Sequence, residues 1–176
     1  MENKFSFQNQ KGLTMIEAII ATFILVVAII GSYLIFVEIS STTKVISSRL
    51  TAAYLAQEGM EIIRNIRDTN WLKEVSWSDL IDGVPCSSGC EVDYRTEQGD
   101  TSTLFSWGTS GNYLKLDENN YYSYSIHPLA IATKFKRKII TTHLNDNTLG
   151  VSVLVQWEDR GKPYEFLVEG YLYNWK

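Results

Sequence analysis

The chain reads as an α+β protein in which one long N-terminal helix precedes an antiparallel β-sheet domain. Three observations predict this. An uncharged apolar run lies near the start, an amphipathic run with a period of three to four follows it, and after Cys90 the apolar residues alternate instead. With 176 residues, 45% hydrophobic and 12% aromatic, the chain holds one membrane-length helix plus one globular domain of roughly a hundred residues.

The first element is the apolar helix. Residues 18–37 carry no charge, and about 20 residues at ~1.5 Å each match a hydrocarbon core of ~30 Å. Glu17 stands at the start of the run, after a polar segment that holds Lys4 and Lys11 and ends in Gly12. A secretory signal peptide has a shorter apolar region with a small-residue cleavage site after it. Here Phe36, Val37, Glu38 and Ile39 follow the run, and the small residue Gly12 precedes it. A cut at Gly12 removes the polar leader and leaves the helix in place. Lys4 and Lys11 before the helix, with Glu38 after it, put the leader in the cytoplasm and the remainder outside.

Lys11, Gly12, Leu13, Thr14, Met15, Ile16 and Glu17, followed by an apolar helix, resemble the processing and methylation motif of type IV pilins and pseudopilins. The resemblance covers about a fifth of the chain. It implies cleavage after Gly12 and N-methylation of Leu13 by a prepilin peptidase and methyltransferase, with Leu13 where the family usually has Phe. It places the family's acidic residue, the fifth after the cut, on Glu17. There the carboxylate pairs with the free amine of a neighbouring subunit's first residue, which makes processing a switch for assembly. The implied segments are a leader over residues 1–12, a transmembrane helix and filament core over 13–37, an amphipathic continuation over 38–70 and a β domain over 71–176. The family's overall form, a long helix on a sheet, is the one the periodicity also gives. Read without the resemblance, Gly12 is an ordinary loop glycine and Glu17 an acid favoured at the positive end of a helix.

Gly31 and Ser32 interrupt the apolar run. They read either as a bend or local melting point, or as small residues at a helix contact. Family members often carry a proline about three positions further on, where this chain has Leu34. Beyond residue 37, Ile46, Leu50, Ala53, Ala56, Met60, Ile63 and Ile66 step by three or four and predict one apolar stripe facing a sheet. Arg64 and Asp68 form an i, i+4 pair. The helix is expected over residues 13–69.

Residues 71–82 read as a linking segment. Cys86 and Cys90, four apart in a domain placed outside the membrane, predict a local disulfide that fixes the start of the first strand. A zinc site needs four ligands, and His127 and His143 are single and remote in sequence. Alternation predicts strands over 91–95, 113–116, 121–126, 135–144, 151–158 and 164–173, with a hairpin turn at 159–163 and an exposed loop over 96–111. Lys134, Lys136 and Lys138, with Arg137 between them, read as the solvated face of an edge strand. Tyr121, Tyr122, Tyr124, Tyr171, Tyr173 and Trp175 make the sheet rich in aromatics suited to core or subunit contact.

The motifs of metalloproteases, serine hydrolases and phosphate-binding loops are absent from the sequence, and neither histidine has an adjacent nucleophile. Asp93, Asp100, Asp117 and Glu118 lack the order of an EF-hand and read as solvated acids. The formal charge is 16 − 20 = −4, and without residues 1–12 it is 14 − 19 = −5, which argues against general nucleic-acid affinity. The expected function is a structural prepilin with no enzymatic activity, cofactor or metal. Its expected partners are the peptidase, other pilin subunits and membrane lipid. It would sit as a single span in the cytoplasmic membrane, then in an extracellular pilus or periplasmic pseudopilus. Two alternatives stand beside this: a minor pilin or pseudopilin that binds DNA, through the strand at 134–138, or a secreted substrate, and an uncleaved single-pass anchored protein.

Overall fold

A computed structural model describes residues 12, 14–83, 85–96, 104–107, 113–124 and 127–175. The leader, Leu13 and most of the expected loop at 96–111 lie outside the described residues. One α-helix, α1 (Met15–Leu72), is followed by eight strands: β1 (Cys90–Glu91), β2 (Phe105–Ser106), β3 (Lys115–Leu116), β4 (Tyr122–Ser123), β5 (Ile131–Ala132), β6 (Lys136–Asn145), β7 (Thr148–Asp159) and β8 (Lys162–Tyr173). This is the α+β arrangement that the two periodicities predict. The chain divides into two compact units, Met1–Lys44 and Val45–Lys176.

In the first unit the described residues form the N-terminal part of α1. Thr14 caps it. The Glu17 amide donates to the Thr14 Oγ1 at 3.3 Å and the Ala18 amide to the Thr14 carbonyl at 3.2 Å. The helix passes through Gly31 and Ser32 unbroken, and the Ser32 hydroxyl donates to the Ala28 carbonyl at 2.8 Å. Of the two readings of this pair, the local melting point is not realised. A serine that bonds back to the preceding turn leaves the helical ladder unbroken, although such bonds often bend a helix slightly.

In the second unit α1 packs on the five-stranded antiparallel sheet, ordered β2-β1-β6-β7-β8, through Ala52, Leu55, Ala56, Ile62 and Ile63. Each of the buried Leu and Ile side chains contributes about 1.5 to 3 kcal/mol, and the alanines less. The lower part of the expected stripe is correct: Ala56, Met60, Ile63 and Ile66 are buried. Its upper part is not, since Ile46 is 59% and Leu50 56% exposed and the buried face starts at Ser48 and Ala52. Apolarity alone misplaced the stripe, because the sheet-facing positions near the top of this segment are small residues. The ion pairs also differ from expectation. Arg64 pairs with Glu61, and Asp68 with Arg67 at 2.8 Å.

β7 alternates as expected, with Val151, Val153, Val155 and Trp157 buried. Its turn to β8 is the two-residue pair Arg160 and Gly161, both at positive φ, as the right-handed twist of a hairpin demands. β2 and β5 are not among the expected strands. β2 falls in the polar segment read as a loop, and β5 is a two-residue strand in a second small sheet ordered β4-β3-β5. β6 corrects another expectation: it is interior, flanked by β1 and β7, and Arg137 is fully buried. The alternation that turns the half-buried Lys136 and Lys138 outward puts Arg137 in line with Phe135 and Ile139 on the core side.

Candidate functional site

The feature that sets this molecule apart is the apolar surface of its first unit. Ile19, Phe23, Val26, Ile30, Leu34 and Val37 are all about half exposed or more, and none of the most apolar stretch is buried by the chain itself. Leaving such side chains in water forgoes the stabilisation that burial gives elsewhere in the molecule. The helix is long and apolar enough to cross a membrane. Thr22 and Ser32 within it return their hydroxyls to helix carbonyls, which satisfies those two donors against an apolar surround.

Glu17 stands one turn into this helix, in the third helical position after the Thr14 cap. Thr14, Met15, Ile16 and Glu17 therefore have the Ser/Thr-x-x-Glu spacing of a capping box, with the bond from the Glu17 amide to the Thr14 hydroxyl in place, a pattern the motif reading overlooked although the spacing was in the sequence. Gly12 lies just outside the helix, and a Cβ built on it meets nothing within 4 Å. Leu13, the expected new N-terminus and methylation site, lies outside the described residues.

Cys86 and Cys90 are joined in a disulfide with both residues buried. The Cys86 carbonyl accepts from the Thr141 amide of β6 at 3.1 Å, and Cys90 begins β1 opposite Ile139. The short covalent loop thus holds β1 beside β6.

The basic segment divides its cations between the two faces of the sheet. Lys134 bonds to Asp159 and to the Ser48 hydroxyl, both at 2.7 Å. Arg137 reaches inward to the Leu55 carbonyl at 2.9 Å, the Val92 carbonyl at 2.6 Å and the Glu58 carboxylate at 3.2 Å. Asp93 is no solvated acid either: it is buried, bonded to Arg95 and to the Tyr124 amide at 2.9 Å. Asp117 accepts from the Tyr94 hydroxyl and from the amides of Asn119 and Tyr121. Desolvation pushes its carboxyl up, but these three bonds outweigh that and hold it below the usual carboxylate range. Asp100 lies outside the described residues. Among the described residues no group of three or more His, Cys, Asp or Glu is placed to hold a metal.

An open concavity of about 480 Å3 is lined by residues including Tyr113, Lys136, Gln156, Glu158 and Glu165. Of the aromatics, Tyr124 is buried and donates its hydroxyl to the Arg137 carbonyl, whereas Tyr121, Tyr171, Tyr173 and Trp175 are exposed. Burial drives the Tyr124 phenol far above its ordinary range. No protein-family model, curated protein or solved structure matches this chain significantly.

Proposed function

We propose that the chain is a filament subunit of the type IV pilin or pseudopilin kind. The observation that carries the proposal is the sequence Gly12 to Glu17 placed directly at the start of an apolar helix whose surface the chain leaves unburied. A membrane accepts that surface before assembly, and the equivalent helices of other copies accept it afterwards. Cleavage after Gly12 frees the amine of Leu13 for methylation, and Glu17 supplies the opposite charge inside the bundle. The second unit, stapled by its disulfide, is carried outside the membrane. The partners are the prepilin peptidase and methyltransferase, membrane lipid and other subunits.

Mass spectrometry of the protein from its native membrane is expected to give a chain that begins at methylated Leu13. An intact leader would instead make it a single-pass anchored protein. Glu17 needs a sharper test, because it also sits in a capping box. Glutamine serves that box as well as glutamate does, so Glu17→Gln keeps the cap and removes the charge. In the assembly reading both Glu17→Gln and Glu17→Ala are made and processed, yet enter sheared fibres poorly, because removal of one member of a buried pair costs several kcal/mol. Normal incorporation of Glu17→Gln with loss of Glu17→Ala would assign Glu17 to the cap alone.

A further inference from the structure

The sheet of the second unit has a face turned away from α1, and its composition departs from that of a face meant for water. An antiparallel sheet with one solvated side shows polar residues at alternate positions. Here Leu154 lies in register beside Leu167, which is 52% exposed, and Gly150 beside Tyr171, which is 62% exposed. The charges on this face differ by strand, with cations on β6, anions on β8 and the exposed Glu158 of β7 at one end. β6 presents Lys136 and Lys138, held over the rings of Tyr113 and Trp107 at 4.5 and 5.7 Å. β8 presents Glu165 and Glu169, neither of which has an ion-pair partner among the described residues.

We infer that this outer face docks a second copy of the chain, sheet against sheet, about a two-fold axis that runs along β7. The charge pattern selects that axis. Rotation about it lays β6 of one copy over β8 of the other in the same row, so Lys136 faces Glu165 of the second copy and Lys138 lies between its Glu165 and Glu169, against one like-charge contact where Glu158 meets its own copy at the end of the axis. Rotation about an in-plane axis across the strands lays β6 over β6 and makes no opposite-charge pair. Three strands about 4.8 Å apart and nine residues at about 3.4 Å each present roughly 450 Å2. That is about half of the ~800 Å2 that each side of a standard interface buries. The contact is therefore weak and is sensitive to salt. It concerns the second unit alone and does not rest on the filament reading.

The geometry makes a register-specific prediction for the full chain in detergent micelles. Both native cysteines are in the disulfide, so an introduced thiol is the reactive one. Ser152 lies on the axis and faces its own copy across two sheets packed about 10 Å apart, too far for a direct disulfide, so Ser152→Cys is expected to give a linked dimer with a short bifunctional maleimide. The two β8 strands are offset by two strand spacings, about 10 Å, on top of the ~10 Å between the sheets, so they stand roughly 14 Å apart and Glu165→Cys is expected to link to itself far less than Ser152→Cys. A mixture of Lys136→Cys and Glu165→Cys proteins is expected to link. On the Ser152→Cys background, Lys136→Glu should lower the linked fraction by about tenfold through like-charge contact, and Lys136→Glu with Glu165→Lys should restore it. Absence of a linked Ser152→Cys dimer, self-linking of Glu165→Cys to the same extent, or failure of the charge swap to restore linking would each overturn the inference.

Discussion

Arg137 is a cation with no exposed surface, and its energetic weight follows from what each partner would do without it. Glu58 has about a third of its side chain in water, and the Leu55 carbonyl lies within a helical turn of its own. The Val92 carbonyl is different, since Val92 is fully buried and Arg137 supplies its bond at 2.6 Å. Arg137→Met keeps most of the volume and strands mainly that one acceptor. The expected loss is therefore about 1 to 3 kcal/mol in urea unfolding, below the ~3 to 5 kcal/mol of a broken, fully buried ion pair. A loss above that range would show that Glu58 does not rehydrate. Gly59 sets two effects against one another. Alanine gains about 1 kcal/mol of helix propensity, but its Cβ would meet Val153 Cγ1 at 3.0 Å, Arg137 Cδ at 3.1 Å and Ile139 Cδ1 at 3.2 Å. These neighbours are fully buried, and overpacking costs about 1 to 3 kcal/mol. Gly59→Ala is thus expected to lower the melting temperature, whereas Gly31→Ala, with nothing within 4 Å, should not.

At the scale of elements, period was legible and environment was not. β7 and β8 and the turn between them follow from alternation and from Gly161, and the helix follows from its lack of breakers. The helix stripe was misplaced near its start because small residues such as Ala52 carry little hydrophobic signal yet permit the closest approach. The basic strand was misjudged because a buried arginine leaves no local mark: its partners Leu55 and Val92 are remote in sequence. β5 pairs only two residues and had no periodicity to read. The disulfide was legible from spacing, and its attachment of β1 to β6 was not. A closed loop of five residues yields about 2 kcal/mol by chain entropy. Cys86→Ser with Cys90→Ser should lower stability by about that much and raise amide exchange at Thr141, which donates to Cys86. Unchanged exchange would separate the loop from the pairing of β1 with β6.

For the whole molecule, the apolar helix and the motif before it were plain in the sequence, because a run of uncharged residues needs no tertiary context to be recognised. The capping geometry at Thr14 and the charge segregation across the outer sheet face emerged only once the elements were placed. The same placement sets how the second unit responds to acid. The Lys134 ammonium holds the Asp159 carboxyl below the usual range by a direct bond. Burial pushes the Asp82 carboxyl up, but the Ser78 hydroxyl and the His143 ring outweigh it and leave it lowered too. A carboxyl lowered in the folded state gives its full stabilisation above its unfolded pKa of about 3.9, and that stabilisation fades as the pH falls towards the folded value. The unit should therefore hold its melting temperature from neutral pH down to about 5 and lose it progressively below about 4. Asp159→Asn removes the lowered carboxyl, so it should reduce stability at neutral pH and flatten the acid slope, bringing variant and parent together at about pH 2. The measurement is thermal unfolding of the full chain in detergent across this range. An acid slope in Asp159→Asn as steep as that of the parent would show that Lys134 and Asp159 do not couple the segment before β6 to the end of β7 in solution.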